Sequence, residues 1–439
     1  MPPVFPVDAY ADCPYIHCMK RHYAPNTDLP AIWIVNNYAN EPDGAGGTRH
    51  FSLAKQLKAS GYSPYIIAAS TLHNQDGQRL TANEDIRVSV IETVPFVWLR
   101  APKFSGNGLR RLWNMIRFAG QLPRRKLLHH IPPPALVIGS TPDPFAALGA
   151  YFAATKHGAR FIYEVRDFWP ISLIELGKLK RWHPLAIVMY AIEAFLCRRA
   201  SLILTVQCHA HQYLERYRVP REKWAYLPNG VDVSLFPEPP LKEPSERFTF
   251  MYFGAHGHGN SLENILLAMR SVEALDPTGR IHCRLVGNGP LKPALVAQAK
   301  HLGLTRVHFE PSVPKREIPA LAAQADVLLF NVFDMPILRY GISANKLFDY
   351  LAAKRPIIFA CNASDDPVAK AHAGLTVPAN NPEALANAML QLAATDTTRL
   401  HEMSVGGRRY VEASHNFETL GNQLAAALRP LLAARNDAR

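Results

Sequence analysis

Short apolar runs alternate along the chain with stretches in which apolar residues return every three or four positions. That alternation predicts parallel sheets joined by crossover helices. In the first half the runs place strands at Ala31–Val35, Tyr65–Ala69, Ile86–Ile91, Ala135–Gly139, Arg160–Val165 and Leu202–Val206. Helical periodicity falls between them at Arg49–Ser60, Pro144–Lys156 and Leu185–Arg199. The second half repeats the scheme, with strands at Phe248–Phe253, His282–Val286, Arg306–Phe309, Val327–Phe330 and Pro356–Phe359. Its helices are expected at Ser261–Val272, Pro290–His301, Glu317–Ala323 and Ile342–Ala353. The class is therefore α/β, with two Rossmann-like sheets rather than one long one.

The seam falls between Leu227 and Arg247, where prolines at 228, 237, 239, 240 and 244 disfavour a continuous helix or central strand. We expect an N-terminal extension at 1–29, a first domain at 30–227, a linker at 228–247 and a second domain at 248–415. A last helix within 416–439 is a candidate to return to the first domain. Ligands of doubly wound sheets sit beyond the carboxyl ends of the strands, so two such domains face each other across a cleft.

Three strand-to-helix turns are rich in glycine: "NEPDGAGGTRHFSLAKQL" from Asn40, "YFGAHGHGNSLENIL" from Tyr252 and "LVGNGPLKPAL" from Leu285. Glycine lets backbone N–H groups approach a phosphate, and the helix start supplies a favourable field. A plain turn that needs positive φ is the other reading of each. The first turn is G-x-G-G rather than G-x-G-x-x-G, and no ribose-binding acid follows at about 20 residues, which disfavours a dehydrogenase. "YEVRDFWP" ends a buried strand with Glu164, Arg166 and Asp167, charges that must pair or line a wet cleft. In "YGISANKLFDYLAAKRPIIFA", from Tyr340, helical geometry gathers Asn345, Lys346 and Asp349 on one face opposite Leu347, Phe348 and Leu351. That face is expected to look outward, either as a solvated pair or as an anion and hydroxyl site at a helix start.

With 439 residues, 48% of them hydrophobic and 19% charged, the chain can bury an ample core. Its 48 Lys+Arg against 36 Asp+Glu leave a net charge of +12, which favours an anionic partner. Six scattered cysteines suit a reducing compartment better than a disulfide framework. Cys13, His17 and Cys18 are too few to complete a zinc site. No run of about 20 apolar residues and no signal sequence is present, so a cytosolic or peripheral protein is expected. Between Thr93 and Pro142 there is no acid, while eight arginines and lysines interleave with Phe96, Trp98, Trp113 and Phe118. That pattern resembles an amphipathic basic segment on an anionic bilayer, with an ordinary basic surface helix as the alternative.

Taken together, "GAGGTRH", "LPNGVD", "GNGP" and "SANKLFDYLAAKRPII" resemble family 4 glycosyltransferases of the GT-B fold. "YEVRDFWP" and "YFGAHGHG" are similar to the bacterial branch that builds O-antigen, capsule and colanic-acid-type polysaccharides. The likeness runs from about Ile32 to Ala425. It implies a nucleotide sugar, UDP-linked and N-acetylated, held mainly by the C-terminal domain, and an acceptor held by the N-terminal one. By position, Gly46 and Gly47 would offer backbone N–H groups to the distal phosphate. Gly287 and Asn288 would border the nucleotide, Ser312 and Val313 would meet the base through backbone atoms, and Gly254 and His256 are further candidate substrate contacts. Asp349 would accept from the ribose hydroxyls, with Asn345 and Lys346 beside the diphosphate. Arg49 and Glu164 are candidate substrate contacts; Arg166, Asp167 and Lys346 are the candidate catalytic group.

Three departures stand out. Many relatives carry two glutamates eight positions apart, where this chain has Gly341 and Asp349. The Arg and Lys commonly found after the first C-terminal strand give way to His256 and His258, leaving Lys346, Arg339 or Arg49 to compensate. Where many members have His–Asp, Arg166–Asp167 stands. The resemblance further implies retention of anomeric configuration, no metal or other cofactor, a polyprenyl-linked saccharide acceptor, no nucleic acid, and a place on the inner face of the cytoplasmic membrane. A GT-B epimerase and a non-catalytic binding relative are the competing readings.

Overall fold

The computed structural model describes residues 28–42, 48–71, 77–104, 106, 108–238 and 246–436. Eight strands form the first sheet: β1 (Ala31–Val35), β2 (Ser63–Ala69), β3 (Ile86–Ile91), β4 (Val94–Leu99), β5 (Leu136–Ser140), β6 (Arg160–Val165), β7 (Leu202–Thr205) and β8 (Trp224–Tyr226). Their order is β3-β4-β2-β1-β5-β6-β7-β8. Helices α1 (Arg49–Ala59), α2 (Leu109–Ala119), α3 (Pro144–Lys156), α4 (Ile171–Glu175), α5 (Pro184–Arg199) and α6 (Ala210–Leu214) connect them. The second sheet, β11-β10-β9-β12-β13-β14, is built from β9 (Phe248–Phe253), β10 (Ile281–Val286), β11 (Val307–Glu310), β12 (Val327–Asn331), β13 (Ile357–Ala360) and β14 (Gly374–Val377). Around it lie α7 (Leu262–Leu275), α8 (Lys292–His301), α9 (Ile318–Ala322), α10 (Asn345–Ala352), α11 (Pro367–Lys370), α12 (Pro382–Ala393) and α13 (Thr397–Ser414), and α14 (Phe417–Asn436) ends the chain.

Local chemistry explains several boundaries. Asp143 precedes Pro144 and accepts from the N–H groups of Phe145 and Ala146, so α3 opens with a capped first turn and a proline that needs no donor. Asn381–Pro382 and Asp366–Pro367 start α12 and α11 in the same way. Asp366 thus caps α11, while its neighbour Asp365 pairs with Lys370.

Two expectations require correction. The first sheet is not wholly parallel: β3 runs antiparallel to β4, and the hairpin between them reverses direction within two residues, too few for a crossover. Moreover, Val94–Leu99 is not part of a surface segment. It is a fully buried strand between β2 and β3, with Phe96 and Trp98 stacked at 5.0 Å in the core. Lys103, α2 and the stretch after it carry the basic pattern outward.

Helix α14 packs on α1, and Phe417, Leu420, Leu424 and Leu428 join Ile32, Ile34, Phe51 and Leu57 in one core on the first sheet. A second tie is the stretch 336–343. Tyr340 belongs to the first domain's core, edge-on to Phe168 (5.4 Å) and Tyr213 (5.5 Å). Around it, Ile337 N–H donates to Glu175 Oε2 (2.7 Å), His209 N–H to the Tyr340 carbonyl (3.0 Å) and Asn229 Nδ2 to Ser343 Oγ (2.9 Å). The carboxyl edges of the sheets are therefore held face to face.

Candidate active site

On the N-terminal side, β5 and β6 carry the polar tip of the sheet. The hydroxyl of Thr141 accepts from the backbone N–H groups of Arg166 (2.7 Å) and Asp167 (3.1 Å), and Gln207 Nε2 donates to the Arg166 carbonyl (2.9 Å). These bonds fix the bend after β6 and leave the Asp167 side chain exposed. Water reaches it, yet it lies among enough protein that desolvation raises its carboxyl pKa, with Arg166 pulling the other way.

Glu164 and Arg49 are placed otherwise than expected. Arg49 is 1% exposed and Glu164 2%, so neither meets a ligand in the cleft. Arg49 Nε donates to Glu164 Oε1 (2.9 Å), while its terminal nitrogens donate to the carbonyls of Leu227 (2.9 Å) and Pro228. His50 Nε2 meets Glu164 Oε2 at 3.0 Å. Burial pushes the Glu164 carboxyl up, but Arg49 and His50 outweigh it and hold the group well below the usual carboxylate range. This network ties the start of α1 to β6 and to the crossing between domains. It works within the protein rather than touching substrate; Gly46 and Gly47, the expected phosphate contacts, lie outside the described residues.

On the C-terminal side, the turns after β9 and β10 interlock. Gly287 has φ +149°, and a Cβ there would fall 1.9 Å from the Gly254 carbonyl oxygen, so a side chain would force the turns apart. His256 N–H donates to the Asn288 carbonyl (2.9 Å). The His256 ring is fully buried, and neither ring nitrogen has a partner. Burial, with Lys292 and Lys346 nearby, lowers its pKa to about 4. It is thus a neutral floor to the turn, and the expectation of a ligand-facing imidazole is corrected. Asn288 and Ser312 are exposed and joined, Nδ2 to Oγ, at 3.1 Å, while Val313 packs against the core.

Helix α10 opens at Asn345 with no side chain capping its first N–H groups. Lys346 projects from this first turn, and its Nζ donates to Tyr252 OH (3.2 Å) and Asn260 Oδ1 (2.5 Å). It also lies 4.5 Å from the Tyr252 ring centre and 5.1 Å from that of Phe330. Among the described residues it makes no ion pair, and burial lowers its pKa to about 7. A lysine held only by neutral groups at an open helix start is a cation placed for an anion. Asp349 corrects the outward-face expectation: it is buried, and Lys315 Nζ contacts its Oδ2 at 2.5 Å. Burial raises the Asp349 carboxyl, with Lys315 opposing. One carboxylate oxygen is thus committed to Lys315, a residue that the sequence did not single out.

Gly341 carries φ +103° against the other domain: a Cβ would lie 2.8 Å from Cys208 Sγ and 3.2 Å from Cys208 N. The absent acid is therefore not a simple vacancy. Gly341→Glu is expected to break this contact, lowering the midpoint of thermal unfolding without increasing turnover. Unfolding curves and initial rates check it, and a more active variant of unchanged stability would contradict it. Beyond this contact, a cavity of about 740 Å³ opens between the domains, with Glu175 and Lys178 on one wall and His258, Asn264, Phe333 and Asn380 on the other. Among the described residues no cluster of three His, Cys, Asp or Glu could hold a metal ion.

The comparisons agree with this architecture. The family described as "Glycosyltransferase Family 4" matches residues 46–235, and "Glycosyl transferases group 1" matches residues 247–395. A similar curated protein is the putative colanic acid biosynthesis glycosyltransferase WcaL of Escherichia coli K12. It is 26% identical over 239 residues, covering 54% of this chain and 58% of the relative, so the chain spans little more than half of that relative's length. Among solved structures, sucrose-phosphate synthase from Thermosynechococcus elongatus superposes with a TM-score of 0.72 at 17% identity, covering 92% of this chain and all of that one. Anabaena Alr3699/HepE, solved with UDP and glucose, gives 0.63 at 14% identity, covering 91% of this chain and all of that one. The two facing sheets are the GT-B fold, and the chain belongs to glycosyltransferase family 4.

Proposed function

We propose that the chain is a retaining, metal-independent glycosyltransferase of surface polysaccharide biosynthesis. It moves a sugar, an N-acetylated amino sugar in our reading, from UDP to a saccharide carried on a polyprenyl lipid at the inner face of the cytoplasmic membrane. The observation that carries this reading is Lys346, half-buried at the first turn of α10 and held, among the described residues, by neutral partners. In this reading its ammonium, the free N–H groups of Asn345 and Lys346, and the glycine turns receive the diphosphate. UDP is favoured over other nucleotides because the similarly folded Anabaena protein was solved with it.

The acceptor hydroxyl attacks the anomeric carbon on the face that the diphosphate leaves. As that C–O bond breaks, its electron pair goes to the β-phosphate oxygen, which takes the hydroxyl proton. Charge on the leaving group is offset by Lys346 and backbone N–H groups. Arg166 and Asp167 orient the acceptor from the N-terminal side, and Asp349, held by Lys315, accepts from a ribose hydroxyl.

Incubation of UDP-N-acetylglucosamine, and in parallel GDP- and ADP-sugars, with a polyprenyl-diphosphate saccharide tests the proposal. We expect UDP release coupled to an α-linked product. A β-linked product removes retention, isomerised sugar nucleotide without acceptor marks an epimerase, and binding with neither outcome marks a non-catalytic relative.

A further inference from the structure

We propose that Lys315 makes the donor site selective for ribonucleotides, by fixing the Asp349 carboxylate as the charged acceptor of a ribose hydroxyl. This rests on the nucleotide reading of the cleft and adds to it a residue and a specificity. Asp349 stands in α10 between Phe348 and Tyr350, both buried in the core of the second domain. An aspartate carboxyl is one bond from Cβ, so it stays within the wall that the helix forms. Its partner arrives from the loop after β11. Lys315 Nζ meets Asp349 Oδ2 at 2.5 Å, and the two side chains are only 21% and 10% exposed, so the pair is sheltered from full solvent screening. Among the described residues the carboxylate accepts no other hydrogen bond, which leaves Oδ1 for a ligand.

The loop presents this lysine from a fixed point. Pro311 and Pro314 restrict its backbone, and Val313 and Ile318, on either side of Lys315, pack on the same core as α10. At the root of the loop, Lys292 Nζ donates to the carbonyls of Gly287 (2.7 Å) and Glu310 (2.5 Å), and Asn288 Nδ2 donates to Ser312 Oγ (3.1 Å). The ammonium is thus placed by the fold, and little side-chain freedom is spent in holding it against the carboxylate.

No other described charge substitutes for it. Lys346, three residues before Asp349, is turned to Tyr252 and Asn260. The Tyr350 hydroxyl is taken up by the Phe253 backbone at 3.0 Å, and Arg316, next to Lys315, is exposed beside Glu317. Burial alone favours the protonated carboxyl, and Lys315 opposes it. A hydrogen bond to an ionised acceptor is roughly twice as strong as one to a neutral group, so discrimination between a hydroxyl and a hydrogen on the ribose should depend on Lys315. A plain loop-to-helix staple, the ordinary reading of such a pair, would alter stability and leave that discrimination unchanged.

Calorimetric titration of the parent, Lys315→Met and Lys315→Arg with UDP, 2′-deoxy-UDP and 3′-deoxy-UDP tests the assignment. Should the parent bind GDP or ADP instead, these and their deoxy forms serve equally, because the ribose is common to all. In the parent, loss of one of the two hydroxyls should weaken binding by about tenfold or more. In Lys315→Met that ratio should largely disappear, with UDP weakened and the deoxy analogue little changed, while Lys315→Arg should keep most of it. Circular dichroism like that of the parent shows that the variants are folded. Deoxy analogues that bind the parent as tightly as UDP, or a folded Lys315→Met that keeps the parent's ratio, would overturn the inference and leave the nucleotide site standing. A parent that binds none of these nucleotides removes the proposed function, and this specificity with it.

Discussion

Lys346→Ala is expected to lower kcat/KM for the sugar nucleotide by about 10²- to 10³-fold, the usual effect of removing one preorganised group that stabilises leaving-group charge. The loss should appear in kcat as well as in binding, because charge on the β-phosphate grows toward the transition state. The fold should survive, since among the described residues the lysine makes hydrogen bonds only to Tyr252 and Asn260. Its titration supplies a second signature. With a folded pKa lowered to about 7 by burial, the free enzyme loses this charge as pH rises through neutrality. Donor affinity should therefore weaken above pH 7, by up to about tenfold per pH unit, and this dependence should vanish in the alanine variant. The stability consequence has the opposite sense. Between about 7 and the ordinary lysine value the unfolded chain binds the extra proton, so this residue makes stability rise with pH there.

Arg49→Ala should have the largest effect on stability, a loss of about 3–5 kcal/mol, because it leaves Glu164 buried and uncompensated and frees the carbonyls of Leu227 and Pro228. Denaturant unfolding of variant and parent measures this, and a loss under about 1 kcal/mol would show that the network is not carrying the domain junction. Glu164 also predicts acid sensitivity. Its folded pKa is depressed, so its stabilisation is full above the ordinary carboxylate value and is lost as pH falls through the lower folded one.

Much of the fold can be read from local pattern. Helix α3 spans Pro144–Lys156, as expected from its periodicity, and β3, β6 and β9 have the expected bounds. These features depend on neighbours in sequence. Strand β4 is different: "VPFVWL" runs into a long basic stretch, and counting charge over the whole segment hides six residues whose burial depends on β2 and β3. The edge strands β8 and β14 have only three and four residues, too few for a period to show.

The candidate site divides along the same line. The glycine turns after β9 and β10 and the α10 start are local features, and their positions at the carboxyl edge follow from the strand pattern. The burial of Arg49 and Glu164 is not local, because the partners stand 115 residues apart. Lys315 meets Asp349 across 34 residues, and Gly341 meets Cys208 only because two domains close on one another. None of these leaves a periodic mark in sequence.

The central claim is that this cleft grips a pyrophosphate through a half-buried lysine and backbone N–H groups, without divalent help. Calorimetric titration of UDP into the parent protein in excess EDTA, repeated with Lys346→Ala, addresses it directly. One saturable site in the parent, unchanged by added Mg²⁺ and abolished or severely weakened in the variant, is the predicted result. Binding that appears only with the metal, or that is equally tight in the variant, would contradict it.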